Sequence, residues 1–376
     1  MPGIYIHIPF CRKACHYCNF HFSTTHSLLP QMVEAIVAEM GIRKGYITGE
    51  INTIYFGGGT PSLCTNEQMD MLMAAIKSNF TVSPTAEITL EANPDDIATE
   101  KLLHWKARGI NRLSIGVQSF REEDLRWMNR AHNASQAWEA IQLAKEYGFH
   151  NISIDLIYGT PSLSDEDWQA NVKTAIALGI PHLSCYALTV EPKTALDKMI
   201  QLKKVPQPEA EKQARHFELL MQWLGEAGYE HYEISNFAKP GWRSKHNSSY
   251  WQGVHYMGLG PAAHSFNGTS RQWNIANNAL YMQGIATQAL AFEKEELTPT
   301  QTLNEYIMTS LRTMEGLSFT HITSNWGQLK ADTIKASATK YIQQGSALLS
   351  GECLQLTKQG KLLADGIASD LFLEEG

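Results

Sequence analysis

Over roughly the first 190 residues the chain repeats one pattern: a short apolar run, a chemically distinctive loop, then a stretch with helical spacing. The repeat predicts β–α units whose strands, buried on both faces, read as continuous apolar runs. The expected strands are Ile4–Ile8, Thr53–Phe56, Glu87–Leu90, Arg112–Val117, Asn151–Ile157 and His182–Leu188. Before three of them a helix should stop at a glycine, Gly109, Gly148 or Gly179, because glycine tolerates the left-handed conformation that ends helices. Six such units predict an α/β fold with a six-stranded partial parallel barrel, an open doubly wound sheet being the other arrangement. The loops leaving the strands read PFCRKACHYCNF, GGGTPS, EANPDD, QSFREED, YGTPSLSDED and TVEPKT. In a barrel of parallel strands this rim carries the chemistry.

After a helical stretch from Pro208 to Ala227 the pattern changes, and Tyr229–Phe266 is rich in His, Tyr, Asn and Gly. From Thr300 three helices are expected, near 302–313, 319–326 and 331–344. A strand-turn-strand over Ala347–Leu356 and Leu371–Leu373 completes a winged-helix-like outline. The last helix has few basic residues, so the module is expected to pack against the barrel rather than read DNA. The expected division is a barrel domain over 1–230 and a smaller C-terminal domain over 231–376, its winged-helix-like tail beginning at about 300.

A chain of 376 residues exceeds what one small core organises. The net charge of −7 argues against a nucleic-acid partner. No apolar run approaches the roughly 20 residues that span a bilayer. The start, MPGIYIHIPFC, lacks the basic segment and apolar core of a secretory signal. These features predict a cytoplasmic protein without a transmembrane segment. No basic amphipathic helix announces an anchor, which leaves only peripheral membrane contact open. Thiols stay reduced in the cytoplasm, so clustered cysteines there point to metal rather than to disulfides.

Three of the six cysteines fall within eight residues, as C-x3-C-x2-C at Cys11, Cys15 and Cys18. Three thiolates on one loop can hold three irons of a [4Fe-4S] cubane, since thiolate is the soft ligand such clusters need. The fourth iron is then free to chelate an amino and a carboxylate group. With His21 the same stretch also reads as a Cys3His zinc site. Cys64, Cys185 and Cys353 are scattered and expected to pack as small apolar side chains. One unit later GGGTP, Gly57–Pro61, follows a strand directly and lets a ligand approach the backbone closely.

The ordered series YIHIPFC-x3-C-x-YC, GGGTP, EANPDD, GVQSF, NRAH and DLIYGTP resembles the radical S-adenosylmethionine family. More narrowly, it is similar to the branch holding oxygen-independent coproporphyrinogen III oxidase and a related haem chaperone, over residues 4–266. The resemblance implies S-adenosylmethionine at the open iron, with roles for matching positions. Tyr5 would lie beside the sulfonium, and Tyr17 would meet the adenine through its backbone. Gly58, Gly59 and Thr60, assisted by Glu91, would take the methionine amino group. Arg130 would pair with the carboxylate, Gln118 and Asp155 would hold the ribose hydroxyls, and Ala187 would line the adenine pocket. A carboxylate inside a parallel strand is costly unless paired, which supports a ligand role for Asp155.

Three departures favour the chaperone over the oxidase. Phe20 stands where the oxidase motif has a fourth cysteine, and only ten residues precede Cys11, where the oxidase carries a longer extension. HNSSYW at His246–Trp251 matches a signature of the chaperone branch. An imidazole among aromatic rings suits haem, so His246 is the expected haem contact, with Tyr250 and Trp251 packing beside it and His255 and His264 as lesser candidates. The expected function is uptake of haem and its delivery to an acceptor haem protein such as a respiratory cytochrome. The radical alternative is oxidative decarboxylation of coproporphyrinogen III, and the residues alone do not decide whether S-adenosylmethionine is cleaved.

Overall fold

A computed structural model describes residues 2–374, so the outermost ends of the two expected domains, 1 and 375–376, lie outside the described residues. Six strands appear in the expected order: β1 (Gly3–Ile8), β2 (Ile51–Gly58), β3 (Val82–Ala92), β4 (Arg112–Gln118), β5 (Ile152–Tyr158) and β6 (His182–Ala187). Each pairs in parallel with the next. The three glycine stops hold, with φ of +94° at Gly109, +80° at Gly148 and +65° at Gly179. After each glycine the next amide reaches back five residues, Ile110 to Trp105, Phe149 to Ala144 and Ile180 to Ala175, and the apolar residue turns inward.

The strands are not apolar on both faces as expected. Ile4, Ile6, Ile8, Ile54, Phe56, Ile88, Leu90, Leu113, Ile115, Ile152, Ile154 and Leu183 are buried in one apolar core. The alternate positions carry Tyr5, Thr53, Tyr55, Glu87, Thr89, Glu91, Arg112, Ser114, Ser153, Asp155, His182 and Ser184, which meet in register from strand to strand. This second face forms a polar interior. Desolvating so many polar groups is tolerated because many pair: Ser153 Oγ with His182 Nδ1 at 2.7 Å, His182 Nε2 with Tyr232 Oη at 2.7 Å, and Ser184 Oγ with Asn236 Oδ1 at 3.1 Å.

The sheet is larger than six strands. Next come β7 (Glu230–Glu233), β8 (Asn236–Ala238), β9 (Tyr256–Leu259), β10 (His264–Phe266), β11 (Ser270–Asn274) and β12 (Phe292–Glu296). Strand β9 is a seventh parallel strand beside β1, and β10–β12 continue antiparallel from it. At the other edge β8 runs antiparallel to β6 and carries β7. The expected boundary at 230/231 therefore falls inside β7, and residues to Glu296 extend the barrel sheet.

A separate apolar core begins only at Leu303 and runs to Leu371. It is built by helices Pro299–Leu311, Phe319–Trp326 and Gln328–Gln343 and a small sheet of β13 (Leu317–Ser318), β14 (Ala347–Ser350) and β15 (Cys353–Leu356). The expected strand at Leu371–Leu373 is absent. The hairpin closes within Ala347–Leu356, and Asn304 occupies both backbone groups of Leu373, at 2.9 Å each. The tail packs against the sheet, as expected: Met314 N donates to Tyr232 O, and Arg312 Nε donates to Glu233 Oε1 at 3.1 Å. No helix among the described residues is long and apolar enough to cross a membrane.

Candidate functional site

The C-terminal ends of β2–β6 and the loop after β1 enclose a cavity of about 430 Å³. Cys11, Cys15, Cys18, Tyr17, Gly58, Gly59, Thr60, Glu91, Gln118, Arg130, Asp155 and Ala187 all line it, so the structure gathers these expected residues in one place. The cysteine loop is tied down from outside. Arg12 Nη2 donates to Asp96 Oδ1 at 2.6 Å, His16 Nδ1 to Trp127 O at 2.8 Å, and Asn129 Nδ2 to Ala14 O at 2.8 Å.

The glycine run is required by close approach. A Cβ on Gly59 would stand 2.6 Å from Phe10 O, and one on Gly58, whose φ is +101°, would collide with the His7 ring. A Cβ on Gly57 would crowd Glu91 Oε1 at 3.1 Å. Only bare backbone fits between the cysteine loop and the carboxylate.

Burial pushes the Glu91 carboxyl up to about 7, although Tyr55 Oη donates to it at 2.7 Å. Burial likewise lifts Asp155 to about 6. The guanidinium of Arg112 opposes both shifts, and its three nitrogens are buried with no hydrogen-bond partner among the described residues. Burial raises the Cys11 thiol to about 11 and also raises Cys18. Such thiols need a metal's positive charge to ionise at neutral pH.

Arg130 reaches into the site as a fork: Nη1 donates to Cys15 Sγ at 3.2 Å, and Nη2 donates to Asn93 Oδ1 at 2.8 Å and Gly116 O at 2.7 Å. Asn93, Ser114 and Gly116 line the cavity too, and sequence reasoning missed them. The signal for Gly116 was present, since a glycine inside an apolar strand marks close approach of another group. Here a Cβ would lie 3.1 Å from Gln118 Nε2 and 3.2 Å from Arg130 Nη2.

The donor set suits a cluster better than a four-ligand zinc ion. His21, the fourth ligand of the zinc alternative, is turned to Asn278 Oδ1 at 2.7 Å. A cubane needs only the three thiolates of Cys11, Cys15 and Cys18, one on each of three irons, and leaves its fourth iron open.

Residues 5–175 match the Radical SAM superfamily, and residues 297–363 match the HemN C-terminal domain. The heme chaperone HemW of Bacillus subtilis is 35% identical over 98% of this chain and 98% of its own length. HemW of Escherichia coli is 32% identical over 99% of this chain and 98% of its own. The chain belongs to the HemW family. Among solved structures, the coproporphyrinogen III oxidase HemN of Escherichia coli, described as a radical SAM enzyme, superposes with a TM-score of 0.86 at 26% identity. That match covers 99% of this chain and 90% of HemN.

Two expected residues of this HemW-family chain stand apart from the cavity. Tyr5 lies beneath Gly57, stacked on Tyr55 at 6.1 Å, with its hydroxyl 3.1 Å from His7 Nδ1. His246 is deeper still, in helix Lys245–Trp251 at the opposite end of the barrel. Its ring stacks on Tyr55 at 4.9 Å, with Nδ1 2.8 Å from Thr53 Oγ1 and Nε2 2.8 Å from Tyr250 Oη. Burial lowers it to about 3. The expected haem contact, His246, is thus enclosed, with both ring nitrogens engaged by hydroxyls. Tyr250 is tied to His246, and Trp251 lies under the Arg312 guanidinium at 5.1 Å. His255 and His264 are exposed, beside Phe266 and Trp273 respectively. Cys64 and Cys185 are buried, as expected, while Cys353 is partly exposed.

Proposed function

We propose that this chain is a haem chaperone that carries a [4Fe-4S] cluster and S-adenosylmethionine and passes haem to acceptor haem proteins such as respiratory cytochromes. The observation that carries the reading is full-length kinship with heme chaperones, 35% identity over 98% of the chain. Cys11, Cys15 and Cys18 would hold the cluster. Gly58, Gly59, Thr60 and Glu91 would receive the methionine ammonium, and Arg130 its carboxylate, a charge-assisted contact suited to guanidinium. Gln118 and Asp155 would take the ribose hydroxyls, while Tyr17 and Ala187 would border the adenine. Tyr5 would support the sulfonium region from below Gly57.

When bound and reduced, such a cluster supplies one-electron chemistry at a sulfonium; the protein contributes orientation and exclusion of water. Phe20, 66% exposed beside the cluster loop, supports the chaperone over the oxidase, whose motif has cysteine there. The likeness to HemN keeps the oxidase as the competing reading. Anaerobic purification should yield about four irons and four sulfides per chain, lost together on Cys15→Ser. Haem titration should show stable binding, and coproporphyrinogen III with reductant should give no protoporphyrinogen. Robust turnover would replace the chaperone reading with the oxidase; zinc without sulfide would remove the cluster.

A further inference from the structure

A second cavity, about 900 Å³, opens between the β6 edge of the barrel and the C-terminal tail. Tyr186, Ala187 and Thr189 line both this cleft and the cysteine cavity, so the two spaces adjoin. The volume lies within the roughly 300–1,000 Å³ typical of small-molecule sites. The barrel side offers Tyr186, 42% exposed, and the tail side offers Leu362 and Leu363. Leu363 is 54% exposed, an apolar side chain left facing solvent.

One cation in the cleft, Lys361, has only neutral hydrogen-bond acceptors, with the Glu233 carboxylate near enough to favour its charge. Lys361 Nζ donates to His231 Nδ1 at 3.0 Å, and His231 is fixed as acceptor there because its Nε2–H donates to Ile234 O at 2.9 Å. Burial lowers this ammonium to about 8, which leaves it largely charged at neutral pH. Among the described residues Lys361 makes no ion pair. The acidic groups of the cleft are engaged elsewhere: Asp365 is held by Arg312, and Asp370 by Tyr341 and Lys340. Arg312 is itself shared between Asp365 and Glu233.

We infer that this cleft seats a tetrapyrrole, its macrocycle between Tyr186 and Leu362–Leu363 and one propionate on Lys361. The inference rests on the haem-chaperone reading and deepens it by giving the cargo a place beside the cluster cavity. Among the described residues no histidine lines the cleft, so apolar and ionic contacts hold the ligand and an iron-free porphyrin binds as well.

The test titrates the full chain, with its cluster, with haem, protoporphyrin IX and protoporphyrin dimethyl ester, which lacks free carboxylates. Lys361→Glu should weaken the two dicarboxylic ligands roughly tenfold or more and the ester only slightly. Leu363→Ser, at an exposed position, should weaken all three, with melting temperature and cluster content unchanged. Wild-type protein that binds haem, with both variants equal to it, overturns the cleft assignment alone. Wild-type protein that binds no tetrapyrrole overturns the chaperone reading as well.

Discussion

His246 and Tyr250 lock each other, imidazole Nε2 to phenol oxygen at 2.8 Å, at the end of the barrel opposite the cysteine loop. The helix bearing both is held by Glu87, whose carboxylate accepts the Lys245 and His246 amides at 3.1 and 3.0 Å. The pair plugs the barrel floor. His246→Ala leaves a cavity and strands Thr53 and Tyr250, so it should cost about 2–4 kcal/mol. Tyr250→Phe removes one bond and should cost about 1–2 kcal/mol. Urea denaturation measures both. Haem affinity of Tyr250→Phe should stay near wild type; a marked gain would show that freeing Nε2 exposes an axial ligand.

The Glu91 carboxyl sets a pH dependence for binding a cationic amino group. Burial raises it to about 7. Only its ionised form attracts an ammonium, so affinity for S-adenosylmethionine should fall as pH drops through 7 and level off above it. Arg112 favours the ionised form, so Arg112→Met should move this profile to higher pH. Calorimetric titration between pH 6 and 8.5 checks both; a flat profile would remove Glu91 from the contact.

The same shift bears on stability with the opposite sign. A carboxyl raised in the folded state contributes stability below its usual value near 4.5, and this is lost as pH rises through about 7. Glu91→Gln should therefore gain stability over wild type at pH 8, by up to about 3 kcal/mol, while losing ligand affinity. Parallel melts at pH 5 and 8 test the sign.

Arg130 forks onto Cys15, Asn93 and Gly116, a geometry that an ammonium on a flexible stem does not reproduce. Arg130→Lys should bind S-adenosylmethionine roughly tenfold more weakly or worse, with iron content intact. Loss of iron would instead assign Arg130 to cluster assembly.

Far from the cavity, Glu39 is fully buried and accepts from Arg43, Asn274, the Gly260 amide and Tyr281, at 2.9, 2.7, 2.8 and 2.6 Å. It joins helix Leu29–Ile42 to the chain around β9–β11. Glu39→Ala would strand a buried guanidinium and should cost about 3–5 kcal/mol by chemical denaturation.

The chain's own order of residues determined the six parallel strands, their glycine-ended helices and the cysteine, glycine and carboxylate positions that meet at the rim. Those signals are local: a helix stop needs one glycine, and a strand's end dictates where its loop points. Local patterns could not reveal that Tyr256–Leu259 would pair with β1, some 250 residues earlier in sequence, or that Glu230–Ala238 would border β6. Nor could they assign the polar positions alternating with Ile and Leu to a shared interior, because a serine or histidine reads the same whether facing water or a buried partner. His246 makes the point most sharply. Its motif was legible, but both its nitrogens are engaged by hydroxyls, one of them 193 positions away, and only the tertiary structure brings that partner within reach.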